Sequence, residues 1–211
     1  MQSIALAGQE MLLLPEKAMF WVEQRWLLIA DVHLGKAAHF RKHGSAIPTG
    51  VKNLDTISSL VKRWKPTKVI FMGDLFHSSR NADWDRLCVF TKREDSDFVL
   101  IKGNHDLLTE QDYRDASLEV IPESILLDGL LLRHDPSPHG SEDGYELAGH
   151  VHPGIRLEGD GRQYLRLPCF AFGHRQGLMP AFGEFTGLHI IDTNRYRNIY
   201  AVADGEVLPV K

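Results

Sequence analysis

Seven residues with metal-binding side chains come soon after short apolar runs in this sequence. Asp74 follows the run 69–72 and Gly73, and Asn104 follows the run 98–101. Carboxylate, amide and imidazole groups are the side chains that proteins use to bind divalent metal ions. In chain order the set is Asp31, His33, Asp74, Asn104, His134, His150 and His152.

A set of this kind could hydrolyse phosphoesters. Two divalent ions about 3.5–4 Å apart generate a hydroxide nucleophile and neutralise the phosphoryl oxygens. Asp74 is the natural bridge between them. Asp31, His33 and one of the pair His150 and His152 would complete one ion, and Asn104, His134 and the other histidine would complete the second.

His105, directly after Asn104, is the candidate general acid for the leaving oxygen. Asp106 or Asp74 would orient its ring. Each motif alone is weak evidence for a metal site. Gly-Asp is ordinarily a loop after a strand, and a lone His-x-His usually has no functional role. The recurrence of such residues at one strand end after another makes the whole set specific.

Basic residues supply candidate substrate contacts. Lys36 and Arg41 lie in the densest basic stretch of the chain, directly after the first motif. They could bind phosphate, although a solvated charged face accounts for such a stretch equally well. Arg175, after His174, is a third candidate contact. His77 is interpreted as a polar loop residue.

The predicted elements bring the motifs to one place. Apolar positions at helical spacing predict a helix over 53–64 with Asn53 as its cap, and a second helix over 83–92. These helices link three apolar strands, which should therefore be parallel. Parallel strands present their carboxyl ends at one edge of a sheet, where ligands bind in open α/β sheets.

The rest of the chain reads as β structure. Residues 3–22 predict a small antiparallel meander, and Asp128-Gly129 between two apolar runs predicts a hairpin. Further strands are predicted over 164–172, 188–192 and 199–203. The order of elements therefore predicts an α/β fold of two sheets with helices on the outer faces, formed as a single domain over residues 1–211.

Composition narrows the class of protein. The 211 residues are 43% hydrophobic and carry a net charge of −4, which argues against a broadly basic nucleic-acid-binding surface. No apolar run is long enough to cross a membrane, and the N-terminus lacks the pattern of a signal peptide. Cys88 and Cys169 form no motif and are expected as reduced thiols of a cytoplasmic protein.

The order of the motifs resembles the calcineurin-like metallophosphoesterase superfamily over residues 31–152: Asp-x-His, Gly-Asp, Gly-Asn-His-Asp, one His and Gly-His-x-His. The resemblance implies a four-layer α/β-β/α sandwich and two divalent metal ions, usually manganese, with iron, zinc or magnesium as alternatives. It assigns Asp31, His33, Asp74 and His152 to one metal, and Asp74, Asn104, His134 and His150 to the other. It makes His105 the catalytic histidine.

Residues 31–36, 134–136 and 178–187 are similar to ligase-associated DNA damage response endonucleases of the PdeM type, which are related to SbcD-type nucleases. This resemblance implies a phosphodiesterase or endonuclease that acts on DNA in repair, with a DNA ligase and a helicase as partners. Two alternatives stay open. One is a phosphatase or phosphodiesterase of a small nucleotide or other small phosphoester, and the other is a non-catalytic scaffold.

Overall fold

A computed structural model describes residues 1–35, 51–159, 163–184 and 186–211. The first sheet contains β1 (Gln2–Leu6), β2 (Gln9–Leu13), β3 (Met19–Trp21), β4 (Trp26–Ile29), β5 (Lys68–Met72), β6 (Asp97–Ile101) and β7 (Leu118–Ile121). The second contains β8 (Ser124–Leu127), β9 (Leu130–Arg133), β10 (Tyr145–Ala148), β11 (Pro153–Glu158), β12 (Tyr164–Phe172), β13 (Gln176–Leu178), β14 (His189–Ile190), β15 (Asn198–Ala203) and β16 (Glu206–Pro209). The described helices are α1 (Val51–Trp64), α2 (Ala82–Thr91), α3 (Glu110–Asp115) and a 3-10 turn, Thr193–Arg195.

The first sheet keeps its strands in chain order. β1 to β4 form the predicted antiparallel meander, and β4 to β7 run parallel. α1 lies between β4 and β5 in sequence, α2 between β5 and β6, and α3 between β6 and β7. The predicted parallel pairing of the strands at Trp26 and Val69 is confirmed, since Leu27 pairs with Val69.

Alternate side chains of the parallel strands enter two different cores, as the period of a β-strand requires. Val69 and Phe71 of β5 pack with the helices, in a cluster that includes Ile57 of α1. Ile70 and Met72 pack between the two sheets. Because both faces of β5 are buried, the strand reads as a continuous apolar run.

The second sheet is mixed. β9 and β10 run parallel, while β8 and β9 form the predicted hairpin. Asp128 and Gly129 have φ values of 47° and 79°, the left-handed pair that a tight hairpin turn needs. The strand predicted over 188–192 is shorter, because only His189–Ile190 pairs with β11.

The predicted α/β sandwich is confirmed. All three α-helices in the described ranges pack on the first sheet. The outer face of the second sheet is covered by a smaller apolar cluster, in which Ile191 and Tyr196 flank the 3-10 turn. None of the helices in the part of the chain that the structure describes is long and apolar enough to cross a bilayer.

The predicted cap of the first helix is wrong. α1 begins at Val51, so Asn53 lies inside its first turn. The Asn53 side chain is buried, and its Nδ2 donates a hydrogen bond to the carbonyl oxygen of Val32 at 3.1 Å. The Asn53 side chain therefore binds the backbone between the predicted ligands Asp31 and His33. It does not cap a free amide at the start of its own helix. α2 is capped by Asn81, whose side chain accepts from the amide of Asp83.

Candidate metal centre

Six of the seven predicted ligands, all but Asn104, form two groups where the two sheets present their carboxyl ends. Residues of the first sheet follow three neighbouring parallel strands, β4, β5 and β6, and those of the second follow the parallel pair β9 and β10. The first set is Asp31, His33, Asp74 and Asn104, and the second set is His134, His150 and His152. Each sheet therefore supplies part of one site.

The first ligand group consists of Asp31, His33 and His152, whose ligand atoms all lie within 4.8 Å of one another. Nε2 of His152 is 3.3 Å from Nε2 of His33 and 3.3 Å from Oδ1 of Asp31. Asp31 and His33 are buried, and His152 is half-buried. Three donors this close to one another can share one cation.

The second ligand group consists of Asp74, His134 and His150, within the same 4.8 Å limit. Nε2 of His134 lies 3.4 Å from Oδ1 of Asp74 and 3.2 Å from Nδ1 of His150. Nδ1 of His134 lies 3.0 Å from the carbonyl oxygen of Met72, which can only accept. Nδ1 therefore carries the hydrogen, and Nε2 presents its lone pair to the group.

Asp74 lies between the two groups. While its Oδ1 faces His134 of the second group, its Oδ2 lies 3.9 Å from Nε2 of His33 in the first group. The carboxyl is almost fully buried, with 2% of the residue exposed. This is the position that the predicted bridging role requires.

Two glycines make room for ligands of other strands. A Cβ on Gly73 would lie 2.1 Å from Nδ1 of His134, and a Cβ on Gly149 would lie 2.7 Å from Oδ2 of Asp31. Neither distance is sterically possible. The glycine before Asp74 and the glycine before His150 are therefore needed because a ligand of the opposite sheet occupies the space of their missing side chains.

Five of the seven predicted ligands have left-handed backbone conformations. Their φ values are +54° for Asp31, +50° for His33, +51° for Asp74, +63° for His150 and +52° for His152. Such conformations cost about 1–2 kcal/mol each in residues with a side chain. Strain of this kind persists where function demands a particular geometry. The backbone therefore supports the assignment of these residues to a functional site.

The side chains fit divalent metal ions. Oδ1 of Asp31 is buried, and no donor among the described residues hydrogen-bonds it. A buried carboxylate oxygen without a donor is costly unless another group neutralises it. The mixture of carboxylate oxygen and imidazole nitrogen in each group suits manganese, iron or zinc. Each group can therefore hold one divalent cation.

The Gly-Asn-His-Asp loop crosses Asp74. The backbone amide of His105 donates to Oδ1 of Asp74 at 2.9 Å, while the His105 and Asn104 side chains are exposed. Asp106 is fully buried and accepts from the amides of Phe76 and Gly103 at 3.1 and 2.9 Å. Asp106 therefore supports the loop through these backbone amides, and no hydrogen bond to the His105 ring is seen among the described residues.

Burial raises the pKa of the Asp106 carboxyl to about 6, and the two backbone amide donors oppose that rise. The nearby charge of Asp74 raises the pKa further. The two hydrogen bonds from the amides of Phe76 and Gly103 offset part of the cost of burying this carboxyl, and they join the loop after β5 to the loop after β6.

Two residues beside the site were not assigned from the sequence. The rings of His77 and His105 have centroids 3.9 Å apart, so His77 is a partner of the predicted catalytic histidine and not merely a loop residue. Oδ1 of Asp135 lies 3.1 Å from Nδ1 of His150. The signals were the short spacing of His77 after Asp74 and the position of Asp135 directly after His134.

The predicted substrate contacts are separate from these groups. Lys36 and Arg41 lie outside the described residues. Arg175 is exposed and lines a hollow beside the loop that follows His134.

Comparisons with known proteins found one matching family and several similar structures. The sequence pattern of the calcineurin-like phosphoesterases matches residues 25–163. The chain is similar to the crystal structure of the Pseudomonas putida nuclease MPE, with 34% identity, a TM-score of 0.82 and coverage of 99% of each chain. It is also similar to the phosphoesterase Yfce from E. coli, with 14% identity, a TM-score of 0.46 and coverage of 86% of this chain and 95% of that chain. A search of curated proteins found no match.

Proposed function

Because the chain belongs to the calcineurin-like phosphoesterase family, we propose that it is a nuclease that hydrolyses phosphodiester bonds in DNA with two divalent metal ions. Family membership and the two ligand groups make the protein a metal-dependent hydrolase of phosphoester bonds. The observation that carries the step to a nuclease is the similarity, over 99% of both chains, to the P. putida nuclease. The predicted family resemblance is confirmed.

Ions bound by the two groups would supply a hydroxide nucleophile and neutralise charge on the phosphoryl oxygens. Asp74 offers one carboxylate oxygen to each group, which favours a pair of neighbouring ions over a single one. Among the described residues, His134 is set up as a neutral donor by the Met72 carbonyl. This contact orients the ring so that Nε2 faces the other ligands of its group.

We infer that His105 acts as the general acid, which is supported by the 5.9 Å between the centroids of its ring and that of His33. Its backbone is tied to Asp74, and its exposed ring can reach a substrate that lies over the two groups. A ring nitrogen would give its proton to the leaving oxygen as the phosphoester bond breaks. Asp106 is a positioning residue. Its carboxyl accepts from the amides of Phe76 and Gly103 and so fixes the backbone of the loop that carries His105.

The metal, the pathway and the partners that we propose are those implied by the family resemblance. Manganese is the proposed metal, DNA repair the proposed pathway, and a DNA ligase and a helicase the proposed partners. A reducing, cytoplasmic location agrees with two free cysteines, Cys88 and Cys169. Co-purification with a candidate ligase and helicase, compared with an unrelated DNA-bound protein, tests the partners.

A second candidate is a phosphatase or phosphodiesterase of a small nucleotide or other small phosphoester. The net charge of −4 favours it, because many contacts to a polyanion usually need a broadly basic surface.

The test compares turnover of bis-p-nitrophenyl phosphate with that of the mono-ester, with manganese and with chelator, followed by single- and double-stranded DNA. His105→Ala should reduce turnover of the diester, whereas Leu107→Ala should not, since Leu107 is on the same loop and 82% exposed. Cleavage of DNA that depends on metal and on His105 supports the nuclease. Turnover of the mono-ester without cleavage of DNA would favour the second candidate.

A further inference from the structure

Two neighbouring hollows lie beside the metal centre, on the side of the second sheet. Their volumes are about 220 Å³ and about 270 Å³. They share four lining residues, which are Pro138, Gln176, Arg195 and Tyr196. The two hollows therefore form one continuous depression, which we call the basic furrow.

The outer hollow is lined by basic groups. Its titratable side chains with a basic nitrogen are His139, His174, Arg175 and Arg195, and no carboxylate is among its lining residues. Both arginines are exposed. Within the described ranges, no carboxylate forms a salt bridge with either of them, whereas Arg63, Arg80 and Arg114 each pair with an acid. The inner hollow adds one exposed carboxylate, Asp192, so the two arginines leave a net positive local surface in a chain of net charge −4.

The inner hollow lies next to the metal centre, although none of the predicted ligands is among its lining residues. Its lining includes Val151, which lies between the ligands His150 and His152 in sequence. Its lining also includes His189, whose backbone amide donates to the carbonyl oxygen of His152 at 3.0 Å. A chain bound in the furrow would therefore run towards the ligand groups.

The floor of the furrow is held by a buried polar network. Nε2 of Gln176 donates to the carbonyl oxygen of Ser137 and to Oε1 of Glu146, both at 2.7 Å. Glu146 is fully buried and also accepts from the amide of Ser137 at 2.8 Å. Because these contacts fix the loop after His134, the furrow is formed before any ligand binds.

Tyr196 gives the furrow an aromatic wall. It is half-buried, lines both hollows and packs against the apolar cluster of the second sheet. Proteins that bind single-stranded nucleic acid combine cationic side chains for the backbone with aromatic rings on which bases stack. The basic furrow has both kinds of group, with Arg175 and Arg195 beside Tyr196.

We propose that the basic furrow binds the unpaired continuation of a nucleic-acid strand as it leaves the metal centre. Arg175 and Arg195 bind backbone phosphates, and Tyr196 supports a base. This inference rests on the proposed nuclease function and deepens it, because it assigns a single-stranded segment to the substrate and a direction to its path.

The test uses the double variant R175Q/R195Q and a fluorescent single strand of about 20 nucleotides, with binding measured by anisotropy in chelator over a series of salt concentrations. The expected result is a Kd about tenfold higher at low salt and a salt slope smaller by about 1.4, which corresponds to two lost phosphate contacts. The matched control is K62Q/R93Q, which removes the same charge from a cleft between the outer helices. Its Kd should equal that of the wild type.

Cleavage then separates this inference from the proposed function. With metal, R175Q/R195Q should lose far more of its activity on the long strand than on bis-p-nitrophenyl phosphate. Equal losses on both substrates would mean that the arginines act through the metal centre, and would overturn the inference. Wild-type cleavage with unchanged binding in R175Q/R195Q would also overturn it, while leaving the nuclease proposal standing. Binding of the strand without any cleavage of nucleic acid would refute the nuclease instead.

Discussion

Oδ2 of Asp31 accepts a 2.9 Å hydrogen bond from the backbone amide of His150. Asp31 follows β4 of the first sheet, and His150 follows β10 of the second. One carboxylate oxygen therefore joins the two sheets at the site, while Oδ1 of the same group is left for a metal ion.

Asp31→Asn separates these two roles. The amide oxygen of asparagine can still accept from His150, but the negative charge is gone. We expect turnover of a phosphodiester to fall by at least about 100-fold, with a melting temperature of the metal-free protein equal to or above that of the wild type, because one buried charge is gone. Asp95→Asn, at an exposed position, is the charge-matched control. Full activity in the Asp31 variant would remove Asp31 from the ligand set.

Metal removal should destabilise the protein. Without ions, the buried carboxylates of Asp31 and Asp74 lie close together with no cation to neutralise them. A metal present at 100 times its Kd adds about 2.7 kcal/mol per site, which raises the melting temperature of a chain of this size by roughly 5–10 °C. Thermal unfolding in chelator and in manganese measures the shift. Asp74→Asn should abolish most of it, and an equal shift in that variant would argue against the bridging position.

The contact between the His77 and His105 rings, which are tilted by 41°, should affect the rate. His77→Ala removes the neighbour that lies 3.9 Å from the His105 ring. A poorly positioned general acid should lower kcat by about tenfold, because small misplacements of reacting groups are costly. His77→Phe restores a ring and should recover most of the rate. If alanine and phenylalanine behave alike, the ring contact does not position His105.

Lys17 should make stability depend on pH. Burial lowers the pKa of its ammonium group from 10.5 to about 8, although the charge of Glu184 opposes this effect. Between these two values the unfolded chain binds the proton and the folded chain does not, so the contribution of Lys17 to stability rises with pH across that window.

Lys17→Met tests this directly. The charged lysine is least favourable near pH 7, so the variant should melt about 2–4 °C above the wild type there, which corresponds to about 1 kcal/mol. The gain should shrink towards pH 10. Nζ of Lys17 also donates to the carbonyl oxygen of Gly183 at 3.3 Å, and a variant that melts lower at both pH values would show that this hydrogen bond dominates.

Six of the seven predicted ligands lie in the two groups, and the sequence pointed to them because each follows a strand whose burial makes it a visible apolar run. Asp74 after β5 is the clearest example. The pairing of ligands into groups depends on which strands of the second sheet face the first, and the residues alone left His150 and His152 interchangeable. The family resemblance separated them, and the structure places them in the same two groups.

What sequence patterns did not reveal depends on tertiary contacts. His77 contacts the ring of His105 only because the loop after β6 packs on the loop after β5. The basic furrow joins Arg175 and Arg195, which come from separate loops of the second sheet. β11 and β13 were not predicted, because Pro153, Gly154 and Gly177 interrupt the apolar pattern of strands that are short or exposed at one end.

Each ligand group draws on both sheets, and this has a consequence for the chain as a whole. The first group takes His152 from the second sheet, and the second group takes Asp74 from the first. A fragment that ends after β7 would carry four of the seven ligands and complete neither group. Tight metal binding therefore requires that the two sheets have docked. Metal affinity measured during refolding would show when the two halves of the polypeptide come together.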